Sequence, residues 1–183
     1  MVYGRDASRV AEVDSDALIE TTQTLGISDH STDATTVYID PKNRIQTFGT
    51  HYPNWLGKLR FPGVLEIQES KGDVVRISTR VKGVPRTSEQ INRTLVHELE
   101  HVAQHDRNDK KLTQGHIAIW GLAIAGAILG HKLGKGKVAK LSGTLVGAGV
   151  GHSVGYMIAP HERQARNRAK EVESRAIVIK SHA

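Results

Sequence analysis

The chain has no cysteine in its 183 residues and few aromatic side chains: two Phe, two Trp and four Tyr. Without thiols it can form neither a disulfide framework nor a thiolate metal site, and a reducing cytoplasm is compatible with it. Because so few aromatic side chains are available for nucleic-acid bases to stack on, no nucleic-acid partner is expected. The net charge of +6 does not alter this, because Glu171 and Glu173 interrupt the C-terminal basic residues, a pattern typical of a solvated helix face.

The N-terminus also lacks the apolar core of a signal peptide, since residues 1–6 lead into a polar segment. We therefore expect a cytoplasmic protein, or one attached to the cytoplasmic membrane as a peripheral or integral protein. The length is sufficient for one domain with a real core and makes two full domains unexpected.

The most informative motif is H-E-x-x-H, formed by His97, Glu98 and His101. On a helix the two histidines lie one turn apart and point the same way, so both imidazoles can reach one metal ion. Glu98 is then placed to accept a proton from metal-bound water. Thr87 and Gln90 fit a capping box at the start of a helix predicted over 87–112. The competing interpretation is a helix with two solvated histidines.

A catalytic zinc site needs a third protein ligand. His105 is too far from His97, about 12 Å along a helix axis, and Arg107 stands where the extended motif has its third histidine. Glu162 is the best candidate, because it precedes an apolar stripe in a helix predicted over 160–180 that opens at Pro160. A carboxylate on a buried stripe needs a partner. A half-exposed Glu at a helix start is the plainer alternative.

These two motifs, residues 95–103 and 160–165, resemble those of the HtpX-like gluzincin peptidases, in which a Gly-rich helical hairpin separates the two metal-binding helices. The resemblance implies one zinc ion per chain bound by His97, His101 and Glu162, with Glu98 as general base and protein or peptide as substrate. Arg166 departs from the family pattern, which has Asp there and so a further orienting carboxylate. An inactive zinc-binding relative is therefore the alternative to an active endopeptidase.

Candidates for the donor that stabilises the oxyanion are Tyr156, His161 and Arg163, which the sequence does not rank. His152 lies inside the hairpin, where a packing or interhelical hydrogen-bonding role is expected.

The segment 117–159 predicts a helical hairpin, with helices at 117–134 and 138–159. Its glycines recur every four residues and form one face on each helix, which allows close backbone approach. A soluble or peripheral hairpin and a membrane-inserted one both remain open, because the first apolar run has only 14 residues. The lysine-rich tip suits a membrane surface with anionic head groups in either case. Membrane insertion by this Gly zipper is a further alternative function.

The N-terminal third predicts a helix within 1–30, at residues 7–25, and a small sheet within 35–80, with strands at 35–39, 63–68 and 73–79. The last strand is expected to offer a free edge to an extended peptide substrate, through Val75, Arg76, Ile77 and Ser78. Its alternation equally fits an ordinary half-buried strand. The expected fold class is α+β: a small antiparallel or mixed sheet with an N-terminal helix, the H-E-x-x-H helix, the Gly-zipper hairpin and a C-terminal ligand helix.

Overall fold

The structure is a computed structural model that describes residues 9–40, 49–52 and 72–181. It is mostly helical with small sheets, compatible with the predicted α+β class. The chain divides into two compact units. The first comprises Met1–Arg107 and Ala165–Ala183, and the second comprises Asn108–Gln164.

The first unit opens with a strand, β1 (Arg9–Val13), followed by α1 (Ser15–Thr24) and α2 (Asp29–Ala34). Asp14 caps α1 by accepting from the backbone N–H groups of Asp16 and Ala17. The prediction of a helix over 7–25 is therefore right for α1 and wrong for residues 9–13. Those residues are extended because they pair antiparallel with β7 (Ile177–Ser181), a partner that lies far away in the sequence.

A three-stranded mixed sheet follows, with the order β2 (Thr36–Asp40), β4 (Val74–Ser78), β3 (Gly49–Tyr52). The strands predicted at 35–39 and 73–79 are confirmed as β2 and β4, whereas the one at 63–68 lies outside the described residues. β4 pairs parallel with β2 and antiparallel with β3. A short hairpin, β5 (Arg80–Val81) with β6 (Val84–Pro85), leads from the sheet toward the next helix.

The central position of β4 overturns one prediction. Val75, Arg76, Ile77 and Ser78 do not form a free edge, because the backbone groups on both sides of β4 already pair with β2 and β3. All five residues of β4 are buried, including Arg76, whose guanidinium lies 2.6 Å from the carboxylate of Asp40. The alternation of polar and apolar residues predicted one solvated face, whereas both faces are buried, and the ion pair with Asp40 compensates the buried charge of Arg76.

The helix that carries H-E-x-x-H is α3 (Ser88–Asp106). The predicted capping box is confirmed, with the Thr87 side chain accepting from the Gln90 N–H and the Gln90 side chain accepting from the Thr87 N–H. The helix ends six residues before the predicted position 112, since Asn108 adopts a left-handed conformation with φ 48°. Its apolar stripe is at most 1% exposed and consists of Ile91, Leu95, Val96, Leu99, Val102 and Ala103.

The C-terminal segment forms α6 (Pro160–Glu171) and then β7. The predicted helix over 160–180 is therefore right for its first twelve residues and wrong beyond Glu171. The apolar run at 176–179 is the reason, because Ile177 and Ile179 belong to a strand that pairs with β1. Ala176 and Ile177 are buried in the core of the first unit.

The second unit contains the predicted helical hairpin, α4 (Lys110–Leu133) and α5 (Lys137–Ile158). Asp109 caps α4, which begins earlier than predicted. Glycines form the seam between the helices: Gly126 lies against Gly147, and Gly130 lies against Gly143, so closely that a Cβ atom at these positions would overlap the opposing backbone. The expected close backbone packing is confirmed.

Candidate metal centre

Helix α3 fixes the first half of the site. His97 and His101 lie one helical turn apart, and their rings meet edge to face with centroids 4.9 Å apart. His101 and Glu98 are each 7% exposed, and His97 is half-buried. The buried apolar stripe anchors this helix in the core of its unit, so the orientation of the motif is set by the same residues that fold the protein.

His97, His101 and Glu162 form a group that could hold a metal ion. Each offers one ligand atom, and these three atoms all lie within 4.8 Å of one another. Two imidazole nitrogens and one carboxylate oxygen are the donor set of several catalytic zinc sites, and the same donors also accept other divalent transition metals. The chemistry of the three residues therefore fits a divalent metal ion.

Glu162 lies in the first turn of α6 and is 6% exposed. Ala165 and Ala169, three and seven residues further on, are 0% and 8% exposed. The prediction that Glu162 extends this buried stripe is confirmed by these exposures. The plainer alternative, a half-exposed Glu at a helix start, does not hold.

One imidazole nitrogen of His101 has a partner that the sequence did not reveal. His101 Nδ1 lies 3.0 Å from the side-chain oxygen Oε1 of Gln104, which is 0% exposed. An amide oxygen at this distance accepts from a ring N–H, so the contact suits the tautomer with its hydrogen on Nδ1, which leaves the lone pair of Nε2 available to a metal. In the sequence, His101 and Gln104 form an i, i+3 pair on one helix face. Such pairs are common, so the spacing alone does not indicate that Gln104 contacts the imidazole.

Three residues near Glu162 were predicted as candidates for an oxyanion donor. His161 is 3% exposed, and its Nε2 lies 3.6 Å from Oε1 of Glu162. Its ring lies against Gly115, where a Cβ atom would overlap it, and 5.2 Å from the ring of His116. Tyr156 and Arg163 are exposed. The role of donor stays a prediction for all three.

The remaining polar residues predicted near the motif have other contacts. His105 Nδ1 lies 3.2 Å from the Asp73 carboxylate, and His105 is not part of the metal-binding group, as the spacing predicted. Arg107 donates to the carboxylate of Glu100 at 2.8 Å and to the Leu25 carbonyl at 3.0 Å, so it ties the end of α3 to the end of α1. In the hairpin, His152 contacts Trp120 of the opposite helix with ring centroids 6.1 Å apart.

Comparison with known proteins finds no family model, no curated protein and no solved structure that matches this chain. The site is therefore interpreted from its own residues: a mostly helical α+β chain in which two histidines of one helix and a glutamate of another could bind a metal ion.

Proposed function

We propose that the protein is a zinc-dependent metallopeptidase, an endopeptidase of the HtpX-like gluzincin type. One zinc ion per chain would be held by His97, His101 and Glu162. The observation that carries this proposal is the grouping of these three ligand atoms within 4.8 Å, although Glu162 lies on a different helix from the two histidines. The H-E-x-x-H motif alone accounts for only two of the three ligands.

The residues divide the chemistry between them. A zinc ion in this site would acidify a bound water and polarise a peptide carbonyl. Glu98 follows the ligand His97 in α3 and is almost fully buried. In the proposed mechanism its carboxylate accepts a proton from water and returns it to the leaving amine. Of the three candidates for the oxyanion donor, His161 has the most fixed position, since it is buried against Gly115. Protein or peptide substrates follow from the family resemblance.

The replacement of Glu98 by Gln tests this proposal. Because Gln keeps the shape of the side chain but cannot accept the proton, we expect zinc to be retained and cleavage of an unfolded protein substrate to fall by about 10²- to 10⁴-fold. Glu89→Gln is the matched control: Glu89 lies on the same helix, its side chain is 80% exposed, and it forms a surface ion pair with Arg93. Equal cleavage by the wild type and Glu98→Gln would contradict the proposal, and zinc binding without any cleavage would favour an inactive relative.

A second proposal concerns the hairpin, which we infer enters a lipid membrane. In the described part of the chain α4 is long and apolar enough to cross a membrane, and only 17% of its apolar window is buried. Most of the large apolar side chains of both helices point outward, whereas Ile119 is buried. Those at least half exposed are Ile117, Trp120, Ile124, Ile128, Leu129, Leu133, Val138, Leu141, Leu145, Val146, Val150, Met157 and Ile158.

This distribution is the reverse of what water favours. A hairpin in water buries its large apolar residues and exposes small or polar ones, whereas here glycines fill the seam and branched side chains cover the outside. Helices in lipid pack through small residues in this way. The hydroxyls of Thr144 and Ser153 donate to the Lys140 and Gly149 carbonyls of their own helix, which lowers the cost of placing them in lipid.

The charge at the tip supports an anionic membrane. Lys132, Lys135, Lys137 and Lys140 are all exposed there. Each lysine near an anionic surface contributes about 1 kcal/mol of attraction. The peptidase would then act at the cytoplasmic membrane, as a peripheral or integral protein.

Flotation with liposomes tests the membrane proposal. We expect the full chain to float with vesicles that contain anionic lipid, and Ile124→Lys with Ile128→Lys to remain at the bottom because two charges then lie on the outer face of α4. Val84→Lys is the matched control, since Val84 is a 66% exposed apolar residue outside the hairpin. A wild-type chain that floats with neither anionic nor neutral vesicles would contradict this proposal and leave the peptidase proposal standing.

A further inference from the structure

We propose that Gln104 is a positioning residue for zinc binding, because it holds the ring of His101 in the tautomer that presents Nε2 to the metal. The inference rests on the proposed metal site and adds a residue to it. His101 Nδ1 and Gln104 Oε1 are 3.0 Å apart, a distance typical of a good hydrogen bond. His101 is 7% exposed and Gln104 is fully buried, so water competes little for this contact.

A neutral imidazole carries one hydrogen, on either Nδ1 or Nε2, and only the nitrogen without it can bind a metal. An amide oxygen that faces Nδ1 favours the hydrogen at that position. The same contact fixes the rotation of the ring, because Nδ1 must point at the oxygen. Gln104 therefore selects both the tautomer and the direction in which Nε2 points.

Both partners lie on α3, three residues apart, so the contact joins two residues of one helix. Metal-binding histidines commonly donate to a carboxylate or a carbonyl oxygen in this way, and loss of such a partner weakens metal binding. Arg166 stands where the resemblance would place an orienting carboxylate. An amide on the H-E-x-x-H helix itself performs the orienting task for one ligand without adding negative charge.

Zinc affinity, measured by competition with a chelator of known affinity, tests the proposal. In Gln104→Met the side chain keeps its approximate size and loses the acceptor, and we expect zinc affinity to fall by about 10- to 100-fold. Gln104→Glu restores an acceptor oxygen and should recover the wild-type affinity. The control is Arg93→Ala, which shortens an exposed side chain of the same helix and should leave zinc affinity unchanged. Wild-type affinity in Gln104→Met would overturn the proposal.

The tautomer itself can be observed in the zinc-free protein. Long-range ¹H–¹⁵N spectra at about pH 8, where an ordinary imidazole is neutral, distinguish a hydrogen on Nδ1 from one on Nε2. We expect His101 to carry it on Nδ1 in the wild type and to shift toward Nε2 in Gln104→Met, and an unchanged tautomer would overturn the proposal. Neither measurement requires cleavage: Gln104-dependent zinc binding without peptidase activity would contradict the proposed function alone.

Discussion

The side chain of Asn92 exchanges two hydrogen bonds with the backbone of Ile177, as a neighbouring strand would. Asn92 Nδ2 donates to the Ile177 carbonyl, and the Ile177 N–H donates to Asn92 Oδ1, both at 2.8 Å. The same Nδ2 also donates to the Ser88 carbonyl at 3.0 Å. Since Asn92 is 6% exposed, these contacts are shielded from water. The helix that carries H-E-x-x-H is thereby bonded to β7, a strand 85 residues away.

The replacement Asn92→Ala should destabilise the protein by about 2–4 kcal/mol, because it leaves a buried N–H and a buried carbonyl of Ile177 without this partner. Chemical denaturation followed by circular dichroism measures the loss. Arg93→Ala is the control, since Arg93 is exposed and, within the described residues, forms a surface ion pair with Glu89, which predicts a change within about 0.5 kcal/mol. An equally small effect for Asn92→Ala would show that β7 is not held through this side chain.

This contact also explains where sequence reasoning failed at the C-terminus. Ala165 and Ala169 continue the helical stripe from Glu162, and the stripe correctly predicted α6 and the burial of Glu162. Ala176 and Ile179 continue the same spacing by coincidence, since Ile179 belongs to the strand Ile177–Ser181 and Ala176 directly precedes it. What makes this segment a strand is pairing with β1 and the bonds to Asn92, and both partners are distant in the sequence.

Sequence patterns predicted correctly those features that depend on neighbouring residues of one helix. The capping box of Thr87 and the arc of apolar residues along α3 predicted the orientation of His97 and His101, because both depend on helical spacing alone. The end of α3 was misplaced because Asn108 and Asp109 were not recognised as a left-handed residue followed by a helix cap. The central position of β4 could not be predicted, since it depends on which strands pair with it.

The seam of the hairpin predicts opposite effects for two glycines of α5. Gly147 lies against the backbone of Gly126, so Gly147→Ala should force the helices apart and lower the melting temperature of the hairpin. At Gly149 nothing lies within 4 Å of an added Cβ atom, so Gly149→Ala should stabilise α5 by about 0.5–1 kcal/mol through helix propensity. Thermal unfolding of the full chain, monitored by circular dichroism in detergent micelles, compares the two. A stabilising Gly147→Ala would contradict the described seam.

Asp106 predicts a stability change with pH. Its carboxylate accepts hydrogen bonds from the Ser31 hydroxyl and from the N–H and hydroxyl of Ser28. These bonds, that of Ser31 foremost, together with the charge of Arg107, lower the pKa of Asp106 below its ordinary value, although burial acts in the opposite direction. The folded state thus favours the ionised form. The stabilisation is complete above the pKa of the unfolded chain, about 3.9, and is lost as the pH falls through the lower pKa of the folded state.

Asp106→Asn should therefore be less stable than the wild type at pH 7. This difference in the free energy of unfolding should shrink as the pH falls below the pKa of an ordinary carboxyl group. Denaturation midpoints at a series of pH values measure it. The effect should shrink in a Ser31→Ala background, because the largest cause of the shift is then absent. A difference that stays constant from neutral to acidic pH would contradict this role of Asp106.

The central claim is that His97, His101 and Glu162 bind one metal ion together. The most direct test is the zinc content of purified protein after equilibration with zinc and removal of loosely bound metal, for the wild type and Glu162→Gln. Glu171→Gln is the matched control, as Glu171 lies at the exposed end of the same helix. We predict one zinc per chain in the wild type and the control, and substoichiometric zinc in Glu162→Gln. One tightly held zinc in Glu162→Gln, or none in the wild type, would contradict the claim.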